Sequence, residues 1–581
     1  MTVFQKRFAV EKVPPKALFV IKALKVVKVR LDGEELQAPR TSLTLWKKPI
    51  EIDLAPKLRP GDHVLNLSVY NEGGHPALLA YCKELVIYTG PDWEASEDPQ
   101  EWNSALPVDE PPVVELSRQF PTAGDAFIEK WPVFISLFSI VFLLTILWSK
   151  YLALNNRFSL NASHLRFLLL SAGAVLALNN IFKMPPDTFG FDHAAHMDYI
   201  RYVAEKMRLP LATEGWQMFQ PPLYYILSAS IYKVCSGLTS ASNMEQVVRV
   251  FPLFCGALQV EIGYRTMRLI FPERNDLQMI GTLICGTLPM NIYMSQVIGN
   301  EPLAGLFSAI VLFLSLKWLT GVPQGNPTRS AALLGLFLGL ALLSKATAFL
   351  LIPLVIIHYF LGPDSGPRGW KGICEPVVVS ISIAGLVAGG YYIRNWITFG
   401  KPFIGGWDPI VKIWWQDPGY RTLEHFVSFG EALVHPIYAS VQGFWDAIYS
   451  TMWLDGTLLG VIAPFPPWNY GFMLAGAWLA LPVAIAIVVG MFWPFPGRAR
   501  NVQIFSDMVV ILYLAALLFL FLTLPIYSTA KATYTLGLMP LYGILAVMGF
   551  RPLLANQWLR ASVYGWLACF GIAAYCSYLI F

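Results

Sequence analysis

The sequence predicts a polytopic α-helical membrane protein, with about 12 transmembrane helices and an all-β domain at its N-terminus. Three observations predict this fold class: 55% of the 581 residues are hydrophobic, only 14% are charged, and the charge runs concentrate before Trp131. A soluble domain usually carries about 25% charged residues, so the composition excludes an ordinary soluble enzyme, and the apolar content excludes a disordered chain. The formal net charge of +4 is small for this length and indicates no nucleic-acid partner.

Residues 1–92 are predicted to form a β-sandwich of the jelly-roll type, because short β-rich stretches alternate with Gly, Pro and Asp turns. In His63–Tyr70, which follows the turn Pro60-Gly61-Asp62, apolar and polar residues alternate as on a half-buried strand. The other predicted strands are Val26–Leu31, Ser42–Trp46 and Ile50–Leu54. Residues 93–130, rich in Asp, Glu and Pro, are predicted to be a linker to the membrane.

The segment Arg59–Pro91 resembles the jelly-roll modules attached to glycoside hydrolases such as α-L-rhamnosidases. This resemblance implies a sugar-binding role as one interpretation, and a plain packing module is the other. No signal peptide is recognisable before the domain, since Met1–Arg30 carries basic residues throughout. Either the first span exports a long N-terminal tail, or the chain lacks an upstream anchor.

From Trp131 onward, about twelve apolar stretches are long enough, or nearly so, to cross ~30 Å of hydrocarbon. They centre near 132–150, 166–183, 247–266, 277–296, 302–319, 330–344, 346–362, 374–393, 471–492, 507–526, 533–550 and 561–580. We therefore expect residues 131–581 to form one polytopic membrane domain.

Basic residues in alternate loops predict the orientation, because cytoplasmic loops are enriched in Lys and Arg. The basic loops contain Lys150/Arg157/Arg166, Arg265/Arg268/Arg274, Lys317/Arg329, Arg368/Lys371, Arg498/Arg500 and Arg551/Arg560. The long segments 184–246 and 394–470 are then expected to face outward, together with the N-terminal domain.

The first of these outward segments carries the most informative motifs. Asp192–Lys206 is predicted to be a short amphipathic helix with Asp192 near its start, where a helix N-terminus favours an ionised carboxylate. Asp192 and His196 are four residues apart and are expected on one helix face. Pro221-Pro222 opens a second predicted helix, Leu223–Val234, which we expect to lie along the outer membrane interface without crossing.

The same segment resembles the first external loop of glycosyltransferases of the GT-C class, which use lipid-phosphate sugars. It is similar to bacterial relatives of protein O-mannosyltransferases and of the lipid A aminoarabinose transferase. The similarity depends on Asp192, His196, Arg208-Leu209-Pro210, Glu214 and Gln220-Pro221-Pro222-Leu223-Tyr224-Tyr225. Further matches follow in the family's order: Asn300-Glu301-Pro302, Gly339-Leu340-Ala341-Leu342-Leu343-Ser344-Lys345, Tyr391-Tyr392-Ile393-Arg394-Asn395-Trp396 with Gly400-Lys401-Pro402, and Lys531-Ala532-Thr533-Tyr534. The resemblance covers roughly residues 165–550 and implies a GT-C-like fold and a bacterial cytoplasmic membrane, whereas the loop charges predict an extracytoplasmic active site.

The ionisable residues Asp192, Glu301, Lys345, Arg394 and Lys531 all fall at the outward ends of predicted spans. Charges there are costly unless they line a polar cavity. Transfer of a sugar to a hydroxyl needs a base at the acceptor and cations around the departing lipid phosphate. We assign Asp192 as the base and Glu301 as a second acid, with Lys345, Arg394 and Lys531 as ligands of the donor phosphate. The alternatives are structural: helix caps for the two acids, and basic side chains that extend to lipid headgroups.

The predicted substrate cavity also contains His193, His196, Asp198, Glu214, Gln220, Tyr224, Asn300 and Tyr534. Relatives often have Asp-Glu where Asp192-His193 stands here, which puts an acid-pair or metal role in doubt at this position. His193 and His196, with Asp192 and Glu214 nearby, could hold a divalent metal, or form a hydrogen-bonded pair in the loop. We expect the hydrogen-bonded pair and predict no cofactor.

These features predict a membrane glycosyltransferase that transfers a sugar from a polyprenyl-phosphate donor to the hydroxyl of a glycan, lipid or protein acceptor. Inversion at the anomeric centre is implied by the family resemblance alone. One alternative is a transporter or flippase of lipid-linked sugars, which would need charges at the bilayer midplane and two similar halves. The other is a non-catalytic membrane protein that binds glycans. The predicted partners are the donor, the acceptor and membrane lipids.

Overall fold

The structure is a computed structural model, and the chain divides in it into two compact units. The first unit comprises Met1–Glu115, Trp407–Thr422 and Leu522–Tyr527, and the second comprises the remaining residues. The structure describes residues 1–23, 26–36, 49–70, 76–98, 101–106, 120–148, 161–183, 190, 192–239, 243–322, 326–362, 369–406, 408, 423–458, 467–495, 499–524 and 530–580. The predicted strand Ser42–Trp46 and the predicted loop residues Lys150, Arg157, Arg368 and Arg498 lie outside the described residues.

The first unit contains two antiparallel sheets, as the alternating pattern predicted. The strands are β1 Thr2–Val10, β2 Leu18–Ala23, β3 Val26–Leu31, β4 Glu34–Leu36, β5 Ile50–Asp53, β6 Gly61–Tyr70, β7 Leu78–Cys82, β8 Ile87–Tyr88, β9 Glu94–Asp98 and β10 Glu101–Ser104. One sheet has the order β10-β9-β1-β6-β3-β4 and the other has the order β5-β2-β7-β8. On β6 the alternate residues Leu65, Leu67 and Val69 are fully buried, because successive side chains of a strand point to opposite faces.

The six-stranded sheet, which contains β1 and β6, extends into the segment 93–130, for which the sequence predicts a linker. β9 pairs with β1 through Val3 and Ser96, and β10 forms the edge beside it. Trp93 is 1% exposed and donates its indole N–H to the carbonyl of Tyr88 at 2.8 Å. Every residue of the edge strand β10 is exposed, so the strand has no buried apolar pattern. For this reason the composition of the segment resembles that of a linker.

The second unit is helical. Its helices are α1 Ala123–Leu147, α2 Ala162–Lys183, α3 His193–Lys206, α4 Leu223–Cys235, α5 Met244–Ile270, α6 Asn275–Thr287, α7 Pro289–Met294, α8 Glu301–Leu319, α9 Pro327–Ser344, α10 Leu351–Leu361, α11 Trp370–Phe399, α12 Glu424–Val427, α13 Glu431–Val434, α14 Phe444–Trp453, α15 Tyr470–Phe492, α16 Ala499–Thr523, α17 Met539–Phe550 and α18 Gln557–Tyr578. Within the described part of the chain, 10 helices are long and apolar enough to cross a membrane. One of them, Ala532–Ala555, consists of α17 and the 3₁₀ turns on either side of it. The predicted fold class, a polytopic helical protein with an N-terminal antiparallel β domain, is confirmed.

Two of the twelve predicted spans are not single membrane-length helices. The stretch 277–296 is divided between α6 and α7 at Leu288, whose extended backbone precedes Pro289. The helical conformation is disfavoured for the residue before a proline, and proline has no N–H to continue the helix. The stretch 346–362 consists of a 3₁₀ turn, Ala346–Leu350, followed by the short helix α10.

Helices α3 and α4 match the two short helices predicted after the second span. They pack on each other through a buried cluster that includes Met197, Tyr199, Ile200, Tyr224 and Tyr225. The rings of Tyr199 and Tyr225 stack with centroids 3.8 Å apart. This packing fixes the N-terminus of α3, where Asp192 stands.

Candidate active site

Asp192 occupies the N-cap position of α3 in the left-handed backbone conformation, with φ 55° and ψ 30°. Its side chain makes no capping hydrogen bond to the helix, so the structural alternative of a helix cap does not apply to Asp192. Instead Oδ1 accepts a hydrogen bond from Trp216 Nε1, and Oδ2 accepts one from Gln217 Nε2, each at 2.8 Å. These two hydrogen bonds fix the direction of the carboxylate. Because Asp192 is exposed, the carboxylate is still accessible to a substrate.

Glu301 and Lys345 form a largely buried salt bridge, with side chains 15% and 9% exposed. Glu301 is the first residue of α8, and Lys345 follows the last residue of α9. The partial positive charge of a helix N-terminus favours the acid, and the partial negative charge of a helix C-terminus favours the base. The Lys345 ammonium also lies 5.0 Å from the centroid of the Tyr534 ring, within cation–π range.

A small cavity borders this salt bridge. It lies between the start of α8, the end of α9 and the 3₁₀ turn Ala532–Leu538. The polar and charged residues in its lining are Glu301, Ser308, Lys345, Thr347, Tyr513, Thr533 and Tyr534. The cavity is therefore a polar space within an apolar helical body.

Lys531 immediately precedes this 3₁₀ turn and is half-buried. Burial lowers the pKa of Lys531 to about 8, although attraction by Asp192 and Glu301 acts in the opposite direction. Repulsion by Lys345 contributes to the lowering. The structure thus brings two acids and two lysines of the predicted site within electrostatic reach of one another.

Gln220, Asn300 and Tyr224 lie between Asp192 and the Glu301–Lys345 pair. Asn300 Nδ2 donates to Gln220 Oε1 at 3.2 Å, and the Tyr224 hydroxyl accepts a bond from the Gly299 amide at 3.2 Å. These contacts dock the segment before α8 onto the start of α4. Of the four predicted cavity residues Gln220, Tyr224, Asn300 and Tyr534, only Tyr534 lines the small cavity, and the other three form the contacts beside it.

The two histidines make separate contacts, and do not form the pair that we expected in the loop. His193 Nε2 donates to Glu245 Oε2 at 2.9 Å, and His196 Nδ1 is hydrogen-bonded to the Tyr225 hydroxyl at 2.8 Å. Burial lowers the pKa of His196 to about 4, against attraction by Glu301 and Asp192. His196 is therefore neutral at pH 7. Across the described part of the chain, no three His, Cys, Asp or Glu side chains are grouped to hold a metal ion.

Three predicted site residues have other contacts. Asp198 is exposed and pairs with Arg201 at 3.8 Å on the same helix. Glu214 accepts hydrogen bonds from the Leu211 amide at 2.6 Å and from the Tyr202 hydroxyl at 3.1 Å, which stabilises the turn after α3. Arg394 NH2 donates to the carbonyls of Leu209 and Pro210, at 3.1 and 2.9 Å, so it is bonded to the same turn.

Sequence reasoning missed the partners that orient the site. They are Trp216 and Gln217, which bind Asp192, Tyr225, which binds His196, and Glu245, which binds His193. Trp216 and Gln217 lie just before Gln220-Pro221-Pro222, and this proximity to a motif is the one sequence signal that could have found them. Glu245 belongs to α5, and nothing in its local sequence indicates a contact with α3.

Three solved structures align with much of this chain at TM-scores below 0.5. ArnT from Cupriavidus metallidurans bound to undecaprenyl phosphate has a TM-score of 0.43 at 13% identity, over 71% of this chain and 76% of that one. Arabinofuranosyltransferase AftD from Mycobacteria has a TM-score of 0.41 at 17% identity, over 73% of this chain and 28% of that one. The oligosaccharyltransferase of Archaeoglobus fulgidus has a TM-score of 0.39 at 14% identity, over 71% and 56% of the two chains. The comparison with curated proteins gives no match.

A family model matches part of the chain by sequence. Residues 220–388 match the family described as dolichyl-phosphate-mannose-protein mannosyltransferase. The matched segment begins at Gln220 and contains Glu301 and Lys345, whereas Asp192 and Lys531 lie outside it. Over residues 220–388 the chain is therefore similar to this mannosyltransferase family, in agreement with the GT-C resemblance that the loop motifs indicated.

Proposed function

We propose that the protein is a membrane glycosyltransferase that transfers a sugar from a polyprenyl-phosphate donor to an acceptor hydroxyl. One observation carries the proposal. The exposed carboxylate of Asp192, held by two neutral donors, lies within electrostatic reach of Lys531 and of the buried Glu301–Lys345 pair. A base and phosphate-binding cations are the groups that this reaction needs.

In the proposed reaction Asp192 accepts the proton of the acceptor hydroxyl. The hydroxyl oxygen forms a bond to the anomeric carbon, and the bond between that carbon and the phosphate oxygen breaks. The electron pair of the broken bond leaves with the lipid phosphate, which Lys531 and Lys345 stabilise by charge-assisted contacts. A single displacement of this kind inverts the anomeric centre.

The structure changes the role that we propose for Arg394. Its guanidinium donates to the carbonyls of Leu209 and Pro210. We therefore assign Arg394 to holding the turn between α3 and α4, and the phosphate contacts to the two lysines. Glu301 is proposed to neutralise Lys345 in the absence of the donor.

The basic loops of the sequence support a site on the extracytoplasmic side of a bacterial cytoplasmic membrane. A donor with a polyprenyl tail fits this location, because the tail remains in the bilayer while the sugar phosphate reaches the polar site. The acceptor is proposed to be a glycan, lipid or protein that presents a hydroxyl at this surface.

Incubation of the purified protein in lipid nanodiscs with polyprenyl-phosphate carrying a radiolabelled sugar tests the proposal. We expect label to move from the lipid fraction to an added extract of cell-envelope glycans, lipids and proteins, and the Asp192→Asn variant to lose this transfer. Asp198→Asn is the matched control. Asp198 is also an exposed acid on this segment, but its partner is Arg201 on its own helix. Equal transfer by the wild type and by Asp192→Asn would refute the assignment of the base.

A further inference from the structure

A chain of side-chain amides starts at the Asp192 carboxylate. Gln217 Nε2 donates to Asp192 Oδ2 at 2.8 Å, and Gln220 Nε2 donates to Gln217 Oε1 at 3.1 Å. Asn300 Nδ2 donates to Gln220 Oε1 at 3.2 Å and also to the carbonyl of Ser344 at 2.9 Å. The chain therefore connects the candidate base to the backbone at the end of α9.

The far end of the chain lies next to the buried salt bridge. Ser344 is the last residue of α9 and precedes Lys345, while Asn300 precedes Glu301, the first residue of α8. Asn300 is completely buried. Through Asn300, the chain thus links Asp192 to both helix ends that carry the ion pair.

The direction of these hydrogen bonds is determined by the groups at the two ends. A backbone carbonyl and an ionised carboxylate can only accept hydrogen bonds. Asn300 must therefore turn its NH₂ group to Ser344, and Gln217 must turn its NH₂ group to Asp192. From Asn300 onward each link then donates toward Asp192, while the second N–H of Asn300 donates to Ser344, and aligned hydrogen bonds polarise one another.

The Asp192 carboxylate is held by Gln217 and by Trp216, because its own helix does not hold its side chain. Its backbone is left-handed, and its carboxylate makes no bond to the N-terminus of α3. Gln217 is only 4% exposed, so its amide is held by packing and does not swing out to water. A hydrogen bond to a charged acceptor is roughly twice as strong as a neutral one, which makes the Gln217 contact the strongest link of the chain.

We propose that Gln217 is a positioning residue, which acts through Asp192, and that Gln220 and Asn300 tie its orientation to the ion pair at α8 and α9. This inference rests on the proposed function. The chain keeps one lone pair of Asp192 directed at the acceptor hydroxyl while the lipid phosphate is held at the lysines. Because Gln217 is proposed to act through Asp192 and not through the donor, its loss should lower kcat and leave KM for the donor unchanged.

Replacement of Gln217 by Met tests the inference, since Met has a similar shape but no amide. We expect kcat to fall about tenfold or more, because a hydrogen bond to a charged group is lost, with KM for the polyprenyl-phosphate sugar within about twofold of the wild type. Gln220→Met should have a smaller effect. In the double variant Gln217→Met/Gln220→Met, kcat should equal that of Gln217→Met alone, because a chain that is already cut cannot lose its second link.

Gln503→Met is the matched control. Gln503 is also a buried amide and donates to backbone carbonyls at the end of α15, including that of Trp493 at 2.9 Å. Its replacement should lower Tm without a change in kcat. If Gln217→Met does not fold, the fall in kcat without a change in KM is measured on Gln220→Met.

Two results would overturn the inference while the proposed function stands. One is an unchanged kcat in Gln217→Met beside an inactive Asp192→Asn, and the other is a double variant whose kcat falls by the product of the two single effects. Transfer that survives in Asp192→Asn would instead overturn the base assignment, and this inference with it.

Discussion

The two carboxylates of the candidate site, Asp192 and Glu301, have opposite surroundings. Asp192 is exposed and receives hydrogen bonds from the neutral groups of Trp216 and Gln217. Glu301 is buried, and its charge is already compensated by Lys345. This difference agrees with the roles proposed for them, since a base needs accessible lone pairs, whereas the Glu301–Lys345 ion pair lines the small cavity.

The largest expected effect separates activity from stability at Asp192. In Asp192→Asn we expect transfer to fall by roughly 10²–10⁴-fold, the usual contribution of a general base. Its Tm should stay close to that of the wild type, because the side chain is exposed. Initial rates and thermal melts on the same preparations would check both. A large loss of Tm would make Asp192 a structural residue like Glu301.

At Glu301 we expect a loss of stability, whereas at Asp192 we expect a loss of activity with little change in Tm. Glu301→Gln leaves the Lys345 ammonium buried without its counter-charge, which typically costs about 3–5 kcal/mol. The double variant Glu301→Gln/Lys345→Met should recover most of this free energy of unfolding, yet remain inactive. Denaturant titration in detergent measures the stability. Glu129→Gln is the control, since its pair with Lys130 is exposed and worth less than about 1 kcal/mol.

A smaller effect is expected where the segment before α8 touches the ion pair. A Cβ at Gly299 would lie 2.8 Å from Glu301 Oε2, so in Gly299→Ala the carboxylate that pairs with Lys345 through Oε1 must shift. We expect a loss of about 1–3 kcal/mol in the free energy of unfolding, in the range of overpacked cores. Gly385→Ala in α11 is the matched control, because a Cβ there meets no atom within 4 Å. Equal stability of the two variants would contradict this account.

The smallest expected effect is a change of pH dependence. The pKa of Lys531, lowered to about 8 by burial, means that its cationic form is lost as the pH rises through 8. Just below that pH the proposed phosphate-binding charge is complete, so transfer should decline as the pH rises through 8. In Lys531→Arg the decline should move to higher pH, since a guanidinium keeps its proton. Profiles that coincide for the two proteins would exclude Lys531 from the phosphate site.

The membrane spans were predictable because hydropathy is a local property. The sequence placed apolar stretches on every described membrane-length helix, and it also placed the short helices α3 and α4. It missed the division at Leu288-Pro289, where a continuous apolar composition conceals a break in the backbone. It also missed β9 and β10, because β9 consists mostly of polar residues and every residue of the edge strand β10 is exposed.

Within the site, the sequence supplied chemically suitable residues but not their contacts. Asp192 and Asp198 are both acids on one short segment, and only the packing shows that one binds Gln217 while the other pairs with Arg201. Arg394 has the same charge as Lys531, yet it bonds to backbone carbonyls of the turn after α3.

The sequence by itself determined the fold class, the apolar spans and the residue types available for chemistry, because composition and periodicity are written along the chain. The tertiary structure alone decided that Glu301 pairs with Lys345, and that an amide chain leads from Asp192 to Ser344. These contacts join residues far apart in the chain, and they depend on side-chain directions that are set only when the helices pack. For that reason the directed support of Asp192 could be recognised only in the folded protein.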